Sequence, residues 1–248
     1  MQTTVSKPIV FEGIGLHTGI KSKLTVLPAD IDFGICFKRT DIDFSDEYIP
    51  AHIGNVVSSE LCTRVANSDG INVSTIEHLM AALAGCGINN TLLEIDGPEV
   101  PILDGSALAF VKEILKTGIK LQEQSVKAVR ILRKVEYKQE MAWAKFEPSE
   151  NPKMSFSIEF SEEAIGAQSK TLDMSNGSFV RELCNSRTFC RYSEVQALRS
   201  KGLALGGSYE NAVVVDGKNV LSPGGLRHSD EPVSYTHLRA HETKANLV

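Results

Sequence analysis

The chain of 248 residues contains 42% hydrophobic and 23% charged residues, which is ordinary for a soluble globular protein and sufficient for one large domain or two smaller ones. Its net charge of −5 argues against a nucleic-acid partner, because binding to phosphates requires clustered lysine and arginine and no basic run is present. No stretch approaches the roughly 20 apolar residues of a membrane-spanning helix, and no signal peptide is evident. The five cysteines are odd in number and lack paired close spacing, which fits a reducing cytoplasm better than a disulfide framework.

Glycines separate the short strands that the N-terminal part of the chain predicts. Strand-like residues 9–11 and 21–26 flank a loop at 13–19 that contains three glycines and His17. Such a loop can bring the backbone close to a ligand, although an ordinary hairpin connection explains the same glycines. Alternating apolar residues at 31–37 then predict a half-buried strand.

Residues 74–85 predict a helix that carries a carboxylate beside an imidazole. Ser74, three residues before Glu77, fits a capping box, and Gly85 supplies the end of the helix. Glu77 and His78 lie off the apolar stripe, on a face that continues with two alanines and leaves room for a ligand or a packed neighbour. One interpretation is a general base beside a metal ligand; the other is a capping carboxylate and a structural histidine. The apolar stripe has helical spacing and consists of Ile76, Leu79, Met80 and Leu83.

The other segments predict two similar α+β halves. In the first half, a strand at 91–95 precedes a helix that Ser106 caps and Gly118 ends. The polar residues 122–125 predict a boundary between a first domain at 1–121 and a second domain at 122–233. The second half predicts strands at 126–137, 141–146 and 154–160, helices at 179–184 and 193–201, and a hairpin at 211–221 that turns at Asp216 and Gly217.

Five motifs carry a resemblance to a known family. They are Gly-Leu-His-Thr-Gly at 15–19, Ser-Thr-Ile-Glu-His-Leu at 74–79, Glu-Val-Pro-Ile-Leu-Asp-Gly-Ser at 99–106, Ser-Arg-Thr-Phe at 186–189 and Gly-Leu-Ala-Leu-Gly-Gly-Ser at 202–208. Over residues 5–233 the chain resembles the zinc-dependent UDP-3-O-acyl-N-acetylglucosamine deacetylases of lipid A biosynthesis. The resemblance implies an α+β fold of two similar domains, each a sheet packed against two helices, with the active site in the cleft between them. It also implies a cytoplasmic enzyme of a Gram-negative-type bacterium that acts on a small acylated nucleotide sugar.

The resemblance implies roles for particular residues. His78 matches a zinc ligand, and Glu77 matches the general base that takes a proton from the zinc-bound water as it attacks the amide carbonyl. Thr188 matches the residue that stabilises the tetrahedral oxyanion, and the products are acetate and the free amine. The positions that match the substrate site are Leu16, His17, Phe189, Val195 and Ala204. All of these except His17 match residues that line an apolar passage for the 3-hydroxyacyl chain. For Leu16 and Val195, simple core packing is an equal alternative.

After Val233 the chain departs from the pattern that it resembles. Tyr235 stands at the position of the second zinc ligand, Arg239 at that of the ligand aspartate, and Thr236 at that of an active-site lysine. The later histidine that serves the family as general acid is not reached before the last residue. We therefore expect residues 234–248 to be a foreign or frame-shifted tail on an incomplete second domain. We also expect weak or absent zinc binding and negligible turnover from the chain as written.

Two histidines of this tail offer a substitute metal pair. His237 and His241 have the i, i+4 spacing of a helical zinc pair, displaced by two residues from the positions that the resemblance gives. A displacement of two residues rotates a helical position by about 200°, so the pair is expected to face away from the site. His52 and His228 are interpreted as structural or exposed, and Cys190 as a core residue.

Three functions stay open at this point. The chain is a deacetylase in a damaged form, a non-catalytic binding protein for an acylated nucleotide sugar, or an unrelated zinc hydrolase that uses Glu77, His78 and the tail histidines. One tight zinc with acetate release supports the first or the third function, and no zinc with retained ligand affinity supports the second. Replacement of His237 and His241 by Ala without effect on zinc excludes the third.

Overall fold

The computed structural model describes residues 1–43, 48–140, 142–175 and 177–239, together with the backbone of the last helix as far as Ala245. A short 3-10 helix, Ile53–Asn55, connects two strands of the first half. The other elements of this half, in chain order, are β1 (Gln2–Val5), β2 (Ile9–Ile14), β3 (Lys21–Pro28), β4 (Ile35–Arg39), β5 (Ile49–Pro50), β6 (Val56–Val57), β7 (Arg64–Ala66), β8 (Asn72–Ser74), α1 (Glu77–Gly85), β9 (Thr91–Ile95), α2 (Leu108–Thr117) and β10 (Ile119–Gln122).

A five-stranded sheet in the order β2-β3-β9-β4-β5 forms the main layer of the first half. Adjacent strands of this sheet run antiparallel, except that β4 and β9 run parallel. Strand β3 shows why the sequence forms this layer, because its buried residues alternate with exposed ones along the strand. Strand β10 returns to pair with β1 at the chain start, and β6, β7 and β8 form a separate antiparallel sheet that leads into α1.

The second half consists of shorter sheets. A hairpin of β11 and β12 has exposed residues throughout, whereas the hairpin of β13 and β14 packs against the last helix. Strand β15 pairs in parallel with β16, which pairs in antiparallel with β17. The elements are β11 (Val135–Gln139), β12 (Ala142–Phe146), β13 (Lys153–Glu159), β14 (Ala167–Asp173), a π-helical turn (Phe179–Leu183), β15 (Phe189–Arg191), α3 (Tyr192–Ser200), β16 (Val213–Asp216), β17 (Asn219–Val220) and α4 (Glu231–Ala245).

Helix α1 lies at the centre of the molecule. It packs against α2 on one side and against α4 on the other, and α4 in turn packs against β13 and β14. The two alanines of α1 that the sequence places beside the acidic and basic residues are fully buried, because α4 covers them. One continuous core therefore joins both halves, and it includes Tyr235 and Leu238 of α4. The prediction of an α+β fold is confirmed, although the strands form six separate sheets within the described residues instead of one sheet in each half.

The capping box that the sequence predicts at Ser74 is wrong. Ser74 belongs to β8, and its hydroxyl donates to the Pro98 carbonyl oxygen at 3.1 Å. The helix begins at Glu77, whose carboxylate accepts a hydrogen bond from the Thr63 backbone N–H at 3.0 Å rather than from the start of its own helix. Tertiary contacts satisfy both side chains, so local capping is not needed.

Other boundaries also differ from the predictions. The strand expected at 31–37 begins only at Ile35, because Asp32 has φ 61° and the Phe33 N–H donates to the Asp30 carbonyl oxygen in a turn. Strand structure at 126–137 starts only at Val135, β14 was not predicted, and the helix expected at 179–184 is a π-helical turn. The helix with Gly118 at its end, the strand at 91–95 and the hairpin that turns at Gly217 are confirmed.

Candidate active site

A cavity of about 2040 Å³ lies between the two halves. Most residues that the sequence singled out line this one space, and they come from the first loop, from α1, from β15 and α3, and from α4. The lining includes Leu16, His17, Glu77, His78, Thr188, Phe189, Val195, Ala204, Tyr235, Thr236 and Arg239. Leu16 and Val195 are partly exposed to this space and lie outside the buried core, so they do not simply fill the core.

An unusual backbone conformation directs Glu77 and His78 into the cavity. Thr75, between β8 and α1, has φ 55°, a left-handed value that costs a non-glycine residue of the order of 1 kcal/mol. The chain turns there and enters the helix two residues later. The carboxylate and the imidazole therefore stand on the first turn of a helix that is buried on all sides.

The Glu77 side chain is 3% exposed. Burial raises the pKa of its carboxyl above the ordinary value, and the Arg239 guanidinium partly opposes this effect. The nearest guanidinium nitrogen of Arg239, Nη2, lies 3.9 Å from Glu77 Oε1, and the Arg239 side chain is 40% exposed. The Glu77 carboxylate therefore lies next to the positively charged side chain of Arg239.

The His78 side chain is neutral at physiological pH. Burial lowers the pKa of its imidazole to about 3, and the positive charge of Arg239 adds to this effect. Its Nε2 atom lies 3.0 Å from the Tyr235 hydroxyl, and the two rings meet edge to face. The nitrogen that would bind a metal ion is therefore in contact with a phenol.

The residues around His78 do not fit a zinc ion. Zinc sites in proteins use about three ligands from His, Cys, Asp and Glu. No group of three such residues that could hold a metal ion occurs within the part of the chain that the structure describes. Tyr235 and Arg239 lie where the resemblance puts the missing ligands, and a guanidinium beside Glu77 repels a divalent cation.

His237 does not complete the site. His237 is buried on the opposite side of α4, where its Nδ1 lies 3.1 Å from the Val233 carbonyl oxygen and its Nε2 lies 3.4 Å from that of Met154. Its ring also packs edge to face on Phe156. The side chain of His241 lies outside the described residues. The rotation expected for a two-residue displacement is what the structure has for His237.

Buried ionic and backbone contacts hold Thr188 and Phe189 at the cavity. The preceding Arg187 forms a salt bridge of 2.9 Å with Glu231 at the start of α4. The Thr188 N–H donates to the Gly105 carbonyl oxygen at 2.8 Å, so β15 is tied to the first half. Phe189 contacts the Tyr235 ring, with ring centres 6.0 Å apart.

The His17 loop is held by the glycine-rich segment of the second half. The Gly206 N–H donates to the Leu16 carbonyl oxygen at 3.0 Å, and the Leu205 N–H donates to that of His17 at 3.1 Å. The Ala204 N–H points to Nδ1 of His17 at 3.4 Å, whereas Nε2 is buried without a hydrogen-bond partner among the described residues. Burial lowers the pKa of this imidazole, with the charge of Arg239 acting in the same direction and that of Glu99 against it.

Other predicted residues have local roles. Nδ1 of His52 accepts a hydrogen bond from the Gly54 N–H, and His228 contacts Ser186 and Asp230, as expected for exposed or structural histidines. The interpretation of Cys190 as a core residue is wrong, because this residue is only partly buried and lines the cavity. Burial raises the pKa of its thiol to about 11.

Sequence reasoning did not assign a role to Glu99, which is fully buried beside the His17 loop. Its signal was available in the sequence, because it is the one charged residue in the apolar run 98–103. A charge in such a run is seldom buried unless polar partners satisfy it.

A buried carboxylate beside a neutral imidazole in a large cavity of an α+β fold is a combination that hydrolases use for acid–base chemistry. A model of the LpxC family, described as UDP-3-O-acyl N-acetylglycosamine deacetylase, matches residues 2–239. The UDP-3-O-acyl-N-acetylglucosamine deacetylase of Phenylobacterium zucineum (strain HLK1) is 45% identical over 239 residues, which cover 96% of this chain and 82% of that protein. The proteins of the same name from Shewanella sp. (strain W3-18-1) and Shewanella frigidimarina (strain NCIMB 400) are 43% and 42% identical, and the matches cover 96% of this chain and 78% of each relative. The chain belongs to this deacetylase family.

Proposed function

We propose that this chain has the ligand site of an enzyme that deacetylates UDP-3-O-(3-hydroxyacyl)-N-acetylglucosamine in lipid A biosynthesis, and that the chain as it stands binds this ligand with negligible turnover. One observation carries the proposal: the cavity retains Glu77 and His78, while Tyr235 and Arg239 contact them from α4. Ligand binding depends on the cavity walls. Amide hydrolysis would need a bound metal ion, and these two residues do not supply the ligands for it.

The composition of the walls supports an acylated nucleotide sugar as the ligand. The cavity of about 2040 Å³ exceeds the roughly 300–1,000 Å³ of an ordinary small-molecule site, so it has room for a nucleotide, a sugar and an acyl chain. Six lysine and arginine side chains line it against four glutamates, in a chain with a net charge of −5, which favours a diphosphate. Leu16, Phe189 and Val195 supply apolar surface for the acyl chain.

The proposed chemical roles are general base for Glu77 and oxyanion donor for Thr188. The zinc ion of the family supplies an activated water molecule where it is bound, but the residues of this chain do not fit it. Burial raises the pKa of Glu77, and the nearby Arg239 cation offsets part of this rise. We therefore derive no hydrolytic step for the chain as it stands.

A zinc hydrolase that uses the tail histidines has less support. The ring nitrogens of His237 face the backbone carbonyl oxygens of Val233 and Met154, and this residue does not line the cavity. Replacing His237 by Ala is expected to leave the zinc content unchanged.

The proposal is tested by three measurements on the purified chain. Calorimetric titration with the acylated nucleotide sugar is expected to give saturable binding, and UDP-N-acetylglucosamine without the acyl chain is expected to bind more weakly. Zinc per chain and acetate release are expected to be near zero. Phe189→Ala should weaken binding of the acylated ligand but not of the unacylated one. Stoichiometric zinc with normal acetate release would show that the site is intact, and absence of any ligand binding would refute the binding role.

None of the helices that the structure describes combines the length and apolar character needed to span a bilayer. We propose a cytoplasmic location, a small-molecule substrate and no nucleic-acid partner, supported by the net charge of −5 and the shape of the cavity.

The domain boundaries at 1–121, 122–233 and 234–248 also remain a proposal. The pairing of β10 with β1 supports the first boundary, because it returns the first half to its own start. The foreign origin of the tail rests on its sequence. Residues 234–239 are nevertheless packed against the core, and the family match extends through 239.

A further inference from the structure

A short segment at residues 98–102 joins two edges of the cavity, and we name it the strap. On one side, the Ser74 N–H donates to the Pro98 carbonyl oxygen at 3.0 Å and the Val100 N–H donates to that of Ser74 at 3.1 Å. On the other side, the Ile102 N–H donates to the Ile14 carbonyl oxygen at 2.9 Å. The strap therefore connects the strand that leads into α1 with the loop that carries His17.

The carboxylate of Glu99 also connects these two parts of the chain, through its own hydrogen bonds. Oε1 accepts hydrogen bonds from the His17 N–H at 2.9 Å and from the Thr75 hydroxyl at 2.6 Å. Oε2 accepts from the Thr18 N–H at 2.8 Å and from the Thr18 hydroxyl at 2.7 Å. One buried carboxylate, 1% exposed, thus holds the cavity-lining loop and the left-handed residue that precedes Glu77.

A carboxylate matches these four donors, because it accepts hydrogen bonds at both oxygens. The amide of glutamine would turn an NH₂ group towards one of the two backbone N–H groups and leave that donor unsatisfied, whereas the neighbouring threonine hydroxyl could rotate to accept. The neighbouring Gly15 is part of the same arrangement, because a Cβ atom there would overlap the Glu99 carboxylate. This contact explains why position 15 of the first motif requires glycine.

We propose that Glu99 is a positioning residue that fixes His17 relative to Glu77 and His78, and so sets the geometry of the ligand site. The inference rests on the proposed function in one respect, namely that the cavity is where the acylated nucleotide sugar binds. Glu99 itself does not line the cavity, so it acts through the His17 loop and Thr75.

The test compares Glu99→Gln with a matched control in the 248-residue chain. Asn90→Ala is the control, because Asn90 is equally buried, makes hydrogen bonds with Gln2, Gln122 and Gly34, and does not line the cavity. Affinity for UDP-3-O-(3-hydroxyacyl)-N-acetylglucosamine is measured by calorimetry. The imidazole nitrogens of His17 are followed by NMR without ligand, a readout that general loss of stability does not move.

Glu99→Gln is expected to weaken binding about 10-fold to 100-fold, since small misplacements of binding groups have effects of this size, and to shift the His17 imidazole signals. Asn90→Ala is expected to lower the melting temperature and leave both readouts unchanged. If Glu99→Gln does not fold, Thr18→Val, which removes one donor to the same carboxylate, should give a smaller loss in the same direction. Unchanged affinity in a folded variant overturns the proposal. If the native chain binds no ligand, the proposed function fails, and unchanged His17 signals in the variant then overturn the role of Glu99 separately.

Discussion

Replacing Tyr235 by His and Arg239 by Asp is expected to create a divalent-metal site in this chain. The two positions are one helical turn apart on α4, and their present side chains contact His78 and Glu77. The opposite charges of Glu77 and Arg239, 3.9 Å apart, attract each other by roughly 4 kcal/mol at an effective dielectric constant of 20, before screening by solvent at the partly exposed Arg239. The same guanidinium repels a divalent cation. The double replacement removes this unfavourable cation and adds an imidazole and a carboxylate, which are ligands that zinc prefers.

The magnitude can be stated as a thermal shift. Zinc at 100 times its dissociation constant stabilises the folded state by about 2.7 kcal/mol. For a chain of 248 residues this corresponds to a rise in melting temperature of about 5–11 °C. Differential scanning fluorimetry with zinc and with EDTA measures the shift, and elemental analysis measures the bound metal. The reasoning is refuted if the double variant folds but binds no zinc, or if the native chain already shows the same shift. Adding His78→Ala to the double variant is the control and should abolish the effect.

Three further predictions concern stability. Gly15→Ala should destabilise the fold by about 1–3 kcal/mol in urea unfolding, because the new methyl group overlaps the Glu99 carboxylate. Leu238→Ala should cost about 2–5 kcal/mol, because this residue of α4 is 0% exposed in the shared core; a cost below 0.5 kcal/mol, roughly that of a surface change, would mean that the tail is not part of the fold. Burial alone would raise the pKa of Glu231, but hydrogen bonds from Arg187 outweigh it and hold the pKa below 4.5. The stabilising contribution of Glu231 is thus present above pH 4.5 and lost as the pH falls below it, so the acid-induced loss of unfolding free energy should be shallower in Glu231→Gln.

Controls separate these effects from general damage. Gly13→Ala places its methyl group 3.1 Å from the Pro101 side chain and should cost less than the change at Gly15. An equal cost at both positions would contradict the role of the carboxylate. An identical acid profile for the native chain and Glu231→Gln would contradict the proposed contribution of the salt bridge.

Local sequence patterns correctly predicted the elements that end or turn at a glycine with a positive φ. Gly118, with φ 91°, ends α2 where the sequence places it, and Gly217, with φ 56°, makes the predicted hairpin turn. Most of the predicted cavity residues were also found from motifs, because four of the five motifs contribute residues to its lining, whereas the motif at 99–106 contributes none. The distances between the walls are not encoded locally and required the fold.

The errors have tertiary causes. Ser74 resembles a helix cap, but the strap offers the Pro98 carbonyl oxygen to its hydroxyl, so the chain stays extended for longer. The residues at 31–33 alternate like a strand, but a turn at Asp32 interrupts them. The contact of Tyr235 with His78 joins residues 157 positions apart, and no local pattern predicts it.

The burial of α1 on every side has a consequence for motion. Its backbone amides can exchange with solvent only when α4 and α2 separate from it, so their exchange should report global unfolding. The hairpin of β11 and β12, which forms part of the cavity wall, is exposed along its whole length and should exchange through local opening. We therefore expect Glu77 and His78 to lie on a strongly protected segment, and the part of the cavity wall that β12 supplies to open more readily.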